Sequence, residues 1–221
     1  MLNWQAVIGI TAGFLSLLGF VPYLVTIFQG KTRPNRATWW IWAIVGLILT
    51  TSYYFSGADN TIWVPVCSAI GHLIVAILAL KYGEGGWNRF DRACMLGAGI
   101  SLFLWWRFSS PLIALSINIM IDFLGALPTI RKSYYKPETE DLLTWMLFSA
   151  AHILNLFALK HWSFALSAYP LYLFGVTTTI VAFLLCAKVP VQVISYKQQR
   201  RRRICKQSRT LYAGNKRNNW W

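Results

Sequence analysis

Gly19-Phe20-Val21-Pro22-Tyr23-Leu24, followed by Lys31, Pro34 and Trp42, is answered about a hundred residues later by Gly125-Ala126-Leu127-Pro128-Thr129-Ile130, followed by Lys132, Pro137 and Trp145. Each copy ends a long apolar run at a proline and a basic turn, then opens another run at a tryptophan. In a bilayer such an echo describes two homologous helical bundles related by an axis along the membrane normal, with a shared site between them.

Composition places the chain in a membrane. It is 56% apolar and 16% aromatic with seven acids in 221 residues, which is more apolar surface than one soluble core of that size can hide. The apolar runs are 5–28, 37–56, 61–80, 93–108, 111–130, 142–160 and 164–187. Six reach the roughly 17–25 residues that cross the hydrocarbon, and the run at 93–108 is short. The runs are continuous rather than alternating, which excludes a barrel. The fold class expected is all-α integral membrane, with seven transmembrane helices. They form two three-helix bundles, at 1–82 and 111–188, joined by a cytoplasmic loop and linker helix at 83–110 and followed by a basic tail at 189–221.

Charge orients the chain. Lys31, Arg33 and Arg36, Lys81, Arg89 and Arg92, and Arg131, Lys132 and Lys136 follow the first, third and fifth runs, and ten basic residues follow the seventh. Arg107 and Lys160 lie on the other side. The positive-inside rule then sets the C-terminus in the cytoplasm and the N-terminus outside. A plasma or inner membrane fits. The first residues, Met1-Leu2-Asn3-Trp4-Gln5, lack a basic region, so the first run reads as a retained helix.

Much of the net charge of +14 lies in the tail Lys197–Arg209. Such a cluster attracts anionic lipid headgroups. The plain reading is a solvated cytoplasmic anchor, and no nucleic-acid partner is expected. Cys67 falls within the third run, and Cys94, Cys186 and Cys205 at or near the cytoplasmic face, where disulfides are not expected. Neither a metal nor another cofactor is expected.

A proline closing the first helix of each bundle, a basic turn, a second proline and a tryptophan opening the next helix, repeated in a 3+1+3 layout, resemble the PQ-loop and SWEET superfamily over residues 5–187. The chain departs from the defining dipeptide: Tyr23 follows Pro22 and Thr129 follows Pro128, where the family usually has Gln. The resemblance implies a transporter of small solutes such as sugars, amino acids or vitamins, with a midplane cavity between the bundles. It also implies hinges at Pro22 and Pro128, with Pro34 and Pro137 opening the second helix of each bundle. A helical proline removes a hydrogen bond and concentrates bending, although proline also simply ends helices. The residues matching the family's site are Cys67, Ser68 and His72 in one copy and Tyr172 and Thr177 in the other, with Tyr53, Tyr54 and Asn155 on the second helices.

The residues give a midplane reading of their own. Asp122 is the one acid within the seven runs, where a charge costs about 2.5–3.5 kcal/mol on insertion scales. Asn118 is one turn earlier on the same face, His152 and Asn155 share a face of the sixth run, and His72 lies at mid-depth in the third. Turned inward, they bind a polar solute and Asp122 couples transport to protons. Turned onto each other, they tie helices together and touch no solute. The tryptophans at run ends, including Trp4, Trp39, Trp40, Trp63, Trp105, Trp106 and Trp162, read as an interfacial belt. Trp42 and Trp145 match between copies and are candidate gates at the cytoplasmic mouth.

No enzyme is expected. There is no phosphate-binding glycine loop, no metal spacing and no nucleophile set. The function expected is transport of a small polar solute by alternating access, uniport or proton-coupled. The alternative is a receptor or adaptor that binds a ligand in the cavity and acts through the tail. A homo-oligomer is compatible with the sequence, which fixes no oligomeric state.

Overall fold

The computed structural model describes residues 3–86, 88–107 and 111–187. The basic tail, with Lys188, Cys205 and all of 189–221, lies outside the described residues, as does the side chain of Trp105. The chain divides into two units, residues 1–184 and 185–221, and the described part of the second is the end of the last helix, 185–187.

Seven helices are described: α1 (Trp4–Phe28), α2 (Arg36–Phe55), α3 (Trp63–Tyr82), α4 (Arg89–Arg107), α5 (Pro111–Tyr135), α6 (Leu142–Phe157) and α7 (Phe164–Ala187). Among the described residues there is no strand, only an isolated bridge between Asn35 and Glu84. α1, α7 and the segment Asn60–Tyr82 are long and apolar enough to cross a bilayer, and α6 is an apolar helix of 16 residues.

The outer surface fits a lipid solvent. On α1 the large apolar residues exposed after Trp4 are Val7, Ile10, Phe14, Leu18, Val21, Val25 and Phe28, a stripe at steps of three and four that forms one helical face. α3 exposes Val66, Ile70, Leu73, Ile74, Ile77 and Leu80. In water such continuous apolar faces would aggregate; against lipid they need no cover. The fold fits an all-α membrane protein.

Packing inside follows the opposite faces. α1 contacts α3 and α6, α2 contacts α3 and α5, and α4 packs on α5. One buried cluster joins Phe20, Tyr23 and Ile27 of α1 with Trp39 and Trp42 of α2, Trp145 and Phe148 of α6, and Ile180 of α7. A second joins Leu49 and Tyr53 of α2 with Leu115 and Ile121 of α5 and Tyr169 of α7.

Two helices extend beyond their apolar runs. α4 begins at Arg89 because the Asn88 side chain accepts the Asp91 N–H at 2.8 Å, while Asp91 accepts from the Asn88 side chain at 2.8 Å and from the Gly86 N–H at 2.5 Å. This reciprocal cap satisfies the first turn of a helix whose opening residues are charged. α5 runs on through Arg131 and Lys132 to Tyr135.

The two prolines of the repeat stand inside their helices, Pro22 in α1 and Pro128 in α5, and neither closes one. Pro34 precedes the cap of α2, and Pro137 opens a 3-10 turn ahead of α6. The caps also set a register. The Asn35 side chain accepts the Thr38 N–H at 3.2 Å and the Asp141 side chain accepts the Thr144 N–H at 2.8 Å. In each case the next residue is tryptophan. By this local pattern Trp39, not Trp42, stands where Trp145 does.

Candidate functional site

A cavity of about 40 Å³ lies among α1, α2, α3, α5, α6 and α7, with Phe20, Trp42, Ser68, His72, Asp122, Trp145, Phe148, His152, Tyr169 and Thr177 in its wall. At roughly 10–15 Å³ for each water it has room for about three.

Asp122 is 3% exposed. Its Oδ2 accepts the Tyr172 hydroxyl at 2.6 Å, and its backbone carbonyl accepts the Trp42 indole N–H at 3.0 Å. The Trp42 ring stacks on His72 at 5.2 Å between centroids and meets Trp145 edge-on at 6.4 Å. His152 Nδ1 lies 3.1 Å from the Thr177 hydroxyl, and the Ser16 and Ser68 hydroxyls are 3.0 Å apart. Among the described residues no cation pairs with Asp122, and neither lysine nor arginine lines the cavity.

Of the residues expected at the site, the structure brings Ser68, His72, Asp122, His152, Thr177, Trp42 and Trp145 to one wall, with Tyr172 bonded behind the acid. It does not bring the others. Tyr54 is 61% exposed on the outer face of α2. Cys67 is half-buried away from the wall, and Asn118 is buried with its amide donating to the Ser52 hydroxyl at 3.0 Å. Asn155 is fully buried outside the wall, and its side-chain amide has no hydrogen-bond partner among the described residues. Trp39, expected in the belt, is fully buried beside Tyr23 and Trp42, whereas Trp4, Trp63, Trp106 and Trp162 are exposed as a belt requires. Phe20, Phe148 and Tyr169 were not anticipated, since nothing in the sequence separates them from aromatics on outer faces.

Two polar ties flank the cavity, one reached through Trp145 of its wall and the other through Tyr169, which packs on Tyr53. At the basic end Glu140 is buried, 2.7 Å from the Lys132 ammonium. Its other oxygen accepts from the Trp145 indole at 2.9 Å and the Tyr23 hydroxyl at 3.2 Å, while Lys132 also donates to the Arg33 carbonyl. Glu140 sits two residues before α6, outside every apolar run, where an acid carries no signal of burial.

At the opposite end the Tyr53 hydroxyl donates to the Leu166 carbonyl at 2.8 Å and lies 2.7 Å from the Thr61 hydroxyl. Nearby, Lys160 pairs with Asp59. Burial pushes the Asp59 carboxyl up, but bonds from Lys160 and from the Asn60 N–H outweigh it and hold it below the usual carboxylate range. A carboxyl depressed on folding adds stability that is present at neutral pH and lost as pH falls through the depressed value. Because the pair is largely exposed, Lys160→Met should cost at most about 1 kcal/mol at neutral pH, less in high salt and nothing in acid, read from unfolding midpoints.

No family model, curated protein or solved structure matches the chain.

Proposed function

We propose that this protein is a seven-span transporter of a small polar solute, working by alternating access between two three-helix bundles of the PQ-loop and SWEET type. The observation that carries the reading is the cavity around Asp122, lined by rings and a few polar groups and flanked by two polar ties. At each end the tie joins α1–α3 and their loops to α5–α7 and theirs, so breaking one tie while keeping the other opens the cavity to one side only. That is the requirement for alternating access.

The repeat layout draws support from the helix pairings. Advancing α1 and α2 by one repeat turns them into α5 and α6, and the contact of α1 with α6 then becomes that of α5 with α2; both are present. The spacing from Asn35 to Asp141 between caps equals that from Pro22 to Pro128, 106 residues in each case. Ser16 and Asp122 share this spacing, each on the first helix of its half and each bonded to the third. The two halves of the site are therefore chemically unequal, with a hydroxyl in one where the other has an acid. In this reading the Lys132 end faces the cytoplasm, Pro22 and Pro128 serve as hinges inside α1 and α5, and Asp122 couples flux to protons.

Uptake of labelled sugars, amines and amino acids into proteoliposomes, with and without an inward proton gradient, tests the reading. The expected result is saturable uptake of one class, with its gradient dependence lost in Asp122→Asn. Absence of flux for every class, in protein with a normal melting curve, would overturn it.

A further inference from the structure

We propose that the solute held in the central cavity is a small organic cation of the alkylammonium type, a deepening that rests on the transporter reading above. The argument is one of charge and shape. Asp122 is buried in the span of the membrane with a tyrosine hydroxyl on one oxygen and no cation beside it among the described residues. A carboxylate in that setting must either carry a proton or be met by a positive charge from outside the protein.

The rest of the wall suits such a charge. Phe20, Trp42, Trp145, Phe148 and Tyr169 line the same cavity as the acid, and aromatic rings attract cations through their quadrupoles, most strongly where water is excluded. Trp42 is fixed in place by its bond to the Asp122 carbonyl. A sugar needs many hydrogen-bonding groups, and this wall is mainly rings. An amino acid brings a carboxylate that would need a lysine or arginine, and none lines the cavity. With room for about three waters, the cavity takes an ammonium head with one or two carbons, and larger ions require the rings to part.

Cation and proton compete for the same carboxylate. The neutral acid gives up its proton as the alkylammonium ion enters, leaving a carboxylate paired with the ion and one proton released, so bound charge is unchanged. The other titratable groups around Asp122 are Tyr169 and Tyr172 of α7, His72 of α3 and His152 of α6. α2 carries Arg36, Tyr53 and Tyr54 toward its ends, and α4 carries its titratable groups at Arg89–Cys94 and Arg107.

The test is a titration of the detergent-solubilised full chain with ethylammonium and tetramethylammonium chloride against ethanol and glucose at constant ionic strength. Binding is followed by calorimetry and by tryptophan fluorescence, since Trp42 and Trp145 line the cavity. Saturable ethylammonium binding is expected, weakening about tenfold or more in Asp122→Asn, which keeps an acceptor for Tyr172 but no charge. Affinity should also weaken at a pH low enough for the proton to compete for the carboxylate. Asp122→Glu should retain the selectivity. Glucose or ethanol binding as well as ethylammonium, cation affinity unchanged in Asp122→Asn, or no saturable cation binding by folded protein would each overturn the proposal. A parallel flux assay separates the two ideas: glucose flux without cation binding removes the cation and leaves a transporter, whereas cation binding with no flux of any solute removes the transporter and leaves the site.

Discussion

Glu140→Ala should destabilise the protein by about 3–5 kcal/mol, as expected when one member of a buried ion pair is removed and the other is left behind. The residue at risk is Lys132, 7% exposed, which would keep only the Arg33 and Thr139 carbonyls as acceptors. Tyr23 and Trp145 lose their acceptor in the same step. The charge and the hydrogen bonds can be separated. Glu140→Gln keeps an acceptor for the two rings and strands only the ammonium, whereas Lys132→Met combined with Glu140→Gln removes both charges and keeps the acceptor. The double variant should recover most of the loss, because a buried pair exchanged as a unit is often close to neutral. Equilibrium unfolding in mixed micelles reads all three. A Glu140→Ala protein within about 0.5 kcal/mol of wild type would mean that water already solvates Lys132, and that the basic end is not closed.

A second large effect is expected at Gly9. A Cβ there would run into the Asn60 carbonyl oxygen, and one at Gly13 would lie 2.7 Å from the Trp63 Cβ and 2.9 Å from its backbone. These glycines, four residues apart, form a small-residue seam that lets α1 meet the 3-10 turn Asn60–Ile62 and the first residue of α3 at close range. Backbone cannot rotate away as a side chain can. Gly9→Leu should therefore cost about 3 kcal/mol or more, the upper end for overpacking. Gly175 in α7 is the control, with open space where its Cβ would be; Gly175→Ala should be neutral or gain up to about 1 kcal/mol. Equal tolerance at both positions would show that α1 does not lie against the turn that opens α3.

Which parts of this molecule can be read from its sequence follows from the physics of each part. Helices were legible because an apolar run long enough to cross a bilayer has few other uses, and each of the seven runs lies largely within a helix. The first turn of α4 and the last of α5 were hidden because they are charged. What makes them helical is a side-chain cap in one case and simple continuation in the other. Asp122, His72 and His152 were legible because polar groups stand out in apolar runs. The aromatic wall was not, since Phe20 inside and Phe14 outside are the same residue type and only the packing of α1 tells them apart. Adjacent tyrosines on α2 make the same point. One residue step turns a helix by about 100°, and this suffices to bury Tyr53 and expose Tyr54. Trp42 and Trp145 match as tryptophans opening the run after each proline turn; counted from the capping side chains of Asn35 and Asp141, the residue at the position of Trp145 is Trp39.

Trp145 belongs to two places at once: its indole N–H holds Glu140 at the basic end, and its ring is part of the cavity wall. In the proposed transporter, a contact shared in this way links occupancy to closure. Whatever free energy a bound solute lends to keeping that end shut, the shut end returns in equal measure as affinity for the solute, and the factor is the same in both directions. A protein with its Glu140 latch weakened should therefore bind its solute less tightly even though Glu140 lies outside the cavity wall, and the size of that loss reports the coupling between the lock and the load.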